Sequence, residues 1–433
     1  MYTFVARFFG WILDLFYRRR HLGGALPERG PTLVVANHPN GLIDAVLVMK
    51  LTDRPVRFLA KAPLFDVPVV GRLTRWVQAL PIYRAQDGHD TTANTGVFDA
   101  VHRALAAGDL VCLYPEGISH NEPSLQPLKT GAARMALGAE ATSERPLGVQ
   151  IAPVGIHYRD KGIFRSALAV QIGPPIVLDE GWRARYAEDP RATVRALTEE
   201  ITAAMRAVTV NLDTWDDLRL FDFAARIWQD DNDPIVRLRA MADAVRDLAD
   251  VVTPARIAEL RARLEAFAED LDALGLDPEA LDRPIHAERS KRFVARNILG
   301  AVLGLPVALV GLAAYALPYQ LVRLLVHLIG PEADLVATVK VLASVLVFSL
   351  WQLALWITGM VWLGFLAGTA LALALPAAAL YGLSWFEMRL GAMHRARMTW
   401  RLLHSGEIGS TLIAERAALR AEIDALAAIY ARR

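Results

Sequence analysis

Cysteine is nearly missing from this 433-residue chain, where Cys112 stands alone. An internal disulfide and a thiolate metal cluster within one chain are thereby excluded. Cys112 lies in the strand-like run Leu110-Val111-Cys112-Leu113-Tyr114, where a buried structural thiol is the ordinary state. A charge imbalance is missing too: 47 Lys and Arg against 46 Asp and Glu leave a net charge of +1. That balance argues against nucleic acid as the main partner, since affinity for phosphate backbones comes from clustered cations. No Gly-x-Ser-x-Gly elbow surrounds Ser119, which argues against a hydrolase built on Ser119, His38 and Asp44. The histidines show no ligand-type spacing, so no metal is expected. Internal repeats and low-complexity linkers are also absent.

Charge is missing altogether from residues 341–384, a stretch about twice the length of one bilayer crossing. It reads as a helical hairpin turning near Thr358-Gly359. Residues 298–317 are also long enough to cross, with Pro306 inside them. Here lies the excess behind a hydrophobic content of 54% and a mean hydropathy of +0.28. Lys291, Arg292 and Arg296 precede these segments, and Arg389, Arg395, Arg397 and Arg401 follow them. Both flanks are cytoplasmic under the positive-inside rule, which demands an even number of crossings over 297–386. Residues 298–329 are then expected to be re-entrant around Pro306 or a short hairpin. Of the tryptophans in this region, only Trp385 sits where an interfacial anchor is expected.

The first 22 residues hold apolar Phe4, Val5, Phe8, Phe9, Trp11, Ile12, Leu15 and Phe16, with Arg18-Arg19-Arg20 after rather than before them. That order is wrong for a secretory signal. The reading is an amphipathic helix in the membrane interface, or one packed on the next domain. Residues 23–181 alternate strand-like and helix-like runs and form an α/β domain. Strands are expected at 32–35, 56–60, 82–83, 110–114, 151–156 and 168–172, and helices at 42–50, 69–77, 96–107 and 129–139. Residues 182–296 read as a helical subdomain, with Asp233-Pro234, Thr253-Pro254 and Asp277-Pro278 as helix starts. Ile257, Leu260, Leu264, Phe267, Leu271 and Leu274 form an apolar stripe with Gly275 as its stop. Residues 387–433 form an amphipathic tail.

Chemistry gathers in loops after the strands. In Asn37-His38-Pro39-Asn40-Gly41-Leu42-Ile43-Asp44, Pro39 keeps His38 out of the helical region and Asn40 can cap a helix from Gly41. Should the two side chains meet, Asp44 fixes the His38 tautomer and frees the other nitrogen to take a proton from a hydroxyl. A capped turn with an incidental histidine is the plainer reading of this stretch alone. After the strand at 110–114 comes Pro115-Glu116-Gly117-Ile118-Ser119-His120, where Gly117 permits close backbone approach and Ser119 offers a hydroxyl. Arg54, Arg57, Lys61, Arg72, Arg75 and Arg84 make the interval before it basic, as solvated surface or as counter-charge for a phosphorylated substrate.

Four blocks occur in one order: Asn37-His38 through Asp44, Leu80-Pro81-Ile82-Tyr83-Arg84, Tyr114-Pro115-Glu116-Gly117, and Ile151-Ala152-Pro153-Val154. With them the chain resembles the glycerol-3-phosphate and lysophosphatidic acid acyltransferases over roughly residues 1–180. The resemblance implies that His38 is the general base, that Asp44 orients it, and that Arg84, Glu116 and Gly117 help to bind the acceptor's glycerol phosphate. Two departures stand out. Five residues separate His38 from Asp44 where most of the family have four, and Ile118-Ser119-His120 replaces the usual Thr-Arg-Ser. Both, with Leu128-Lys129-Thr130-Gly131, look like the fungal glycerol-3-phosphate branch. The missing arginine leaves phosphate charge to Arg84, Lys61 and Lys129.

The expected activity is acyl transfer from acyl-CoA or acyl carrier protein to glycerol 3-phosphate, with lysophosphatidic acid as the alternative acceptor and no cofactor. A non-catalytic membrane lipid-binding or scaffold protein is the second alternative. The expected place is a membrane, the inner one for a bacterial source, with the α/β domain on its cytoplasmic face.

Overall fold

The computed structural model describes residues 2–66, 70–83, 94–228, 233–247, 252–282, 287–331, 335–430 and 432. It divides into two compact units, residues 1–215 with 332–338, and residues 216–331 with 339–433.

The first unit opens with α1 (Tyr2–Phe16) and β1 (Tyr17–Gly23). It continues with β2 (Thr32–Ala36), α2 (Gly41–Met49), β3 (Val56–Lys61), α3 (Val70–Trp76), β4 (Leu80–Ile82), α4 (Asn94–Ala106) and β5 (Leu110–Leu113). Then come α5 (Gly131–Thr142), β6 (Gln150–Tyr158), β7 (Ser166–Ile172), β8 (Ile176–Val177), α6 (Glu180–Glu188) and α7 (Pro190–Arg206). The sheet order is β1-β7-β6-β2-β5-β3-β4, with β8 beside β6. From β6 to β4 every pairing on this path is parallel, while β7 runs antiparallel to β6. Central β2 and β5 are buried along their whole length, as parallel strands covered on both faces must be. On one face, Leu33, Val35, Val111 and Leu113 pack with Met135 and Leu137 of α5 and Leu197, Ile201 and Met205 of α7.

This is the α/β domain the alternation predicted, with two differences at its borders. The helix expected over residues 1–22 ends at Phe16, and Tyr17–Gly23 pairs instead with β7. Burial decides the change: Tyr17 is 1% exposed, its ring set against those of Phe16 and Tyr158. The domain also extends past residue 181, because α7 lays its apolar stripe into the core.

The second unit contains α8 (Trp215–Ile227), α9 (Pro234–Asp247), α10 (Pro254–Leu274), a 3-10 turn at Pro278–Asp282, α11 (Ala287–Ile329), α12 (Val336–Leu363), α13 (Phe365–His404) and α14 (Glu407–Tyr430), with the first residue of α8 and the first residues of α12 at the border with the first unit. Pro234 and Pro254 stand at helix starts as expected, and Gly275 ends α10 in the left-handed conformation. The tail does not lie apart. Glu415 and Glu422 of α14 accept from Arg263, and Asp424 accepts from the Trp228 indole, so α14 completes the bundle of α8–α10.

Among the described residues, three helices are long and apolar enough to cross a membrane, by length and composition: residues 302–329, 336–363 and 365–394. Residues 298–329 neither re-enter nor fold back, because α11 is one helix through Pro306 and Pro318. Proline costs such a helix a backbone hydrogen bond that neighbouring helices can offset. The hairpin turns at Gly364 rather than at Thr358-Gly359. Gly359 instead faces Gly368 at close range, the use of glycine where two helix backbones meet. Trp351 and Trp356 are not interfacial anchors: their indoles donate to Ala314 O and Thr369 Oγ1 on neighbouring helices. Gln352 bridges all three, accepting from Tyr315 of α11 and donating to Ala372 O of α13.

Candidate active site

The parallel strands carry their following loops to one edge, the carboxyl edge where α/β sheets bind ligands. His38 follows β2, Glu116 follows its neighbour β5, Lys61 ends β3, and Tyr158 and Lys161 lie at the end of β6.

His38 and Asp44 meet. The His38 Nδ1 lies 2.9 Å from Asp44 Oδ2, with the carboxylate fully buried and the imidazole 17% exposed. Six positions apart, the pair closes because Gly41 opens α2 with φ +47, a left-handed conformation that costs glycine nothing. Asn40 does not cap α2 through its side chain. Its amide donates to the Tyr17 hydroxyl, and its backbone N–H donates to Asp44 Oδ2 at 2.7 Å. Tyr158 donates its hydroxyl to Asp44 Oδ1 at 2.7 Å. Burial, together with the nearby Asp44 charge, holds the Tyr158 phenol well above its ordinary pKa, so it remains a donor. Asp44 thus receives three protein donors, and the His38 Nδ1–H among them leaves Nε2 as the proton acceptor. The imidazole lies flat on the Tyr114 ring, centroids 3.8 Å apart and planes 8° from parallel.

Glu116 is buried beside this pair. It accepts from the His38 backbone N–H at 3.2 Å, the Gln126 N–H at 2.8 Å and His120 Nε2 at 2.5 Å. Gly117 follows with φ +74, and a Cβ there would fall 2.6 Å from Lys129 Nζ. The Lys129 chain therefore lies directly over Gly117. Its ammonium has no hydrogen-bond partner among the described residues. Ser119 is half-buried in the same loop, and Lys61 is exposed at the end of β3, paired in register with Ile82 of β4. Arg84 lies outside the described residues. Cys112 is fully buried and its thiol is pushed up by desolvation, the structural state expected of it.

Sequence reasoning missed Tyr17, Tyr158 and Lys161. Lys161 donates from Nζ to Pro39 O at 2.5 Å and to His120 O at 3.3 Å, joining the two loops that follow β2 and β5 at the carboxyl edge. Tyr158 lies four residues beyond the fourth block, but nothing in one sequence links it to Asp44 across 114 positions.

Residues 19–157 match the family model described as Acyltransferase. Glycerol-3-phosphate O-acyltransferase 2 of Saccharomyces cerevisiae is 39% identical over 136 residues, 31% of this chain and 18% of that protein. The lyso-ornithine lipid O-acyltransferase of Rhizobium meliloti is 32% identical over 141 residues, 32% of this chain and 45% of that protein. The crystal structure of the 1-acyl-sn-glycerophosphate (LPA) acyltransferase from Thermotoga maritima aligns with a TM-score of 0.32 at 20% identity, covering 46% of this chain and 81% of that one. The chain spans less than half the length of these curated relatives. His38, Asp44, Glu116 and Gly117, at the carboxyl edge of β2 and β5, fall within the matched residues, a stretch similar to the Acyltransferase family and to the glycerol-3-phosphate O-acyltransferases of Saccharomyces cerevisiae.

Proposed function

We propose that this protein is a membrane-bound O-acyltransferase that moves a fatty acyl group from acyl-CoA or acyl carrier protein to a hydroxyl of glycerol 3-phosphate. The observation that carries the reading is the His38–Asp44 pair, with Nδ1 committed to the carboxylate and Nε2 left to act. A thioester already has a good leaving group, so no enzyme nucleophile is needed. The acceptor hydroxyl attacks the thioester carbonyl while His38 Nε2 takes its proton. The tetrahedral intermediate then expels the thiolate, which recovers that proton from the imidazolium. Holding two substrates in line supplies much of the remaining rate. The acceptor's phosphate meets the cations at the carboxyl edge, with Lys129 over Gly117 as the first contact and Lys61 and Arg84 as further ones.

Lipid is met in two places. On α1 the exposed Phe4, Phe8 and Trp11 share a face with Arg7, which suits the headgroup layer of a bilayer. The apolar α11–α13 supply the integral anchor. Basic residues flank these helices on both sides, and this supports the cytoplasmic face for α8–α10 and α14.

The test is acyl transfer by detergent-purified protein from a long-chain acyl-CoA to labelled glycerol 3-phosphate, with labelled lysophosphatidic acid in parallel. Transfer to glycerol 3-phosphate that disappears in His38→Ala is the expected result. Activity that survives in His38→Ala would remove the base, and no transfer to either acceptor would remove the reaction.

A further inference from the structure

The resemblance to acyltransferases casts Glu116 as a ligand of the acceptor, but its surroundings describe a different task. Its side chain is fully buried, and both oxygens are already engaged by the protein. Oε1 holds the backbone N–H of His38, and Oε2 holds the Gln126 N–H and His120 Nε2. His120 is itself fixed. The Glu122 backbone N–H donates to His120 Nδ1 at 3.1 Å, and a ring nitrogen that accepts carries no proton. His120 therefore presents Nε2–H to Glu116 as a neutral donor. The ring of contacts closes through the main chain, because the His120 N–H donates to His38 O at 3.2 Å. His38 is thus held on both sides of its own α-carbon, N–H by Glu116 and C=O by His120.

We propose that Glu116 and His120 form a clamp that fixes the His38 backbone, and that Glu116 is a positioning residue rather than an acceptor ligand. The proposal rests on His38 being the base. A hydroxyl of the acceptor could reach Glu116 only by displacing one of these N–H donors, and a buried donor is costly to strand. A small tilt of the His38 backbone, in contrast, moves Nε2 away from the line of proton transfer, where displacements of an ångström cost orders of magnitude in rate.

The experiment measures kcat and the glycerol 3-phosphate KM of the full-length protein with a long-chain acyl-CoA for His120→Ala, His120→Gln, Glu116→Gln and His38→Ala. Gln places an amide N–H where Nε2–H stood. The expected result is a fall of about 10- to 100-fold in kcat for His120→Ala, with the acceptor KM within about twofold of the wild type and most of the rate restored in His120→Gln. Misfolding of the alanine variant leaves the glutamine variant to carry the test, since full activity there requires the donor and not the imidazole. A rise of about tenfold in acceptor KM for Glu116→Gln or His120→Gln, with kcat kept at saturation, would make Glu116 a ligand and overturn the clamp. So would an unchanged kcat in His120→Ala. Activity surviving in His38→Ala would overturn the function reading instead, and the two failures are therefore separable.

Discussion

Replacing Asp44 by Asn tests how His38, the proposed base, is held, and the structure sets both the sign and the size. Two N–H donors point at Oδ2, His38 Nδ1 and the Asn40 backbone, and the backbone donor cannot rotate. An amide nitrogen in that place would face a fixed N–H head on. The oxygen of the introduced amide must therefore occupy the Oδ2 position, and its nitrogen must face Tyr158, whose hydroxyl can rotate to accept. The His38 tautomer survives. What is lost is the carboxylate charge opposite the developing imidazolium. Two unit charges about 4 Å apart at an effective dielectric of about 20 interact by about 4 kcal/mol, of which about half is felt with the proton half transferred. The expected fall in kcat is thus between about 30-fold and 1,000-fold. A wrong tautomer costs about 10,000-fold. Thiol release from acyl-CoA in the presence of acceptor measures it, with Tyr158→Phe added to each background. The reasoning fails if Asp44→Asn is as inactive as His38→Ala, or if Tyr158→Phe costs no more in the Asp44→Asn background than in the wild type.

Gly41→Ala forces a side chain into the left-handed turn that brings His38 to Asp44, and about 1 kcal/mol of strain is expected to appear as a lower kcat with unchanged acyl-CoA KM. His157 is held by burial at a pKa of about 4, so between that value and its unfolded value of about 6.5 only the unfolded chain takes the proton. Stability is full above pH 6.5 and falls by up to about 3 kcal/mol as pH drops towards 4; denaturation midpoints at pH 7.5 and 5 should separate, and less so in His157→Gln. Gly311→Leu drives a side chain into the Ala378 backbone, and overpacking of about 1–3 kcal/mol should lower the detergent melting temperature more than Gly311→Ala does.

Local signals were legible where one stretch of chain determines its own shape. Pro234, Pro254 and Gly275 mark helix ends because capping and left-handed turns are decided by neighbours in sequence. The five-residue gap between His38 and Asp44 looked like a departure, and Gly41 within that gap absorbs it. Illegible features depend on distant partners. Tyr17–Gly23 reads as the basic end of a helix, since an edge strand is defined by the strand it pairs with and three arginines give no alternation. Thr358-Gly359 resembled a turn because glycine serves turns and close helix contacts alike. Tyr158, Lys161 and the engagement of Glu116 required the sheet order before any of them could be placed.

The three apolar helices invite a count of three crossings, and the contacts within the second unit argue against it. In three simple crossings α11 and α13 run the same way. Here Gly304 meets Trp385 while Gly311 meets Ala378, so numbers rise along α11 as they fall along α13, and the two are antiparallel. Their ends agree. Asp277, just before α11, accepts from His394 of α13, and Arg401 of α13 donates to Leu274 O and Gly275 O at the end of α10. Beyond α13, α14 is bound to α10 through Arg263 with Glu415 and Glu422. A bilayer between α10 and α14 would have to break all of these. The chain is therefore expected to enter and leave the membrane on one side, α12 adding no net crossing. Cys112 is buried, which leaves single cysteines at Ala258 and Ser410 free to report through an impermeant thiol reagent on sealed vesicles. Both should label from the same side, and labelling from opposite sides would restore three crossings and refute the argument.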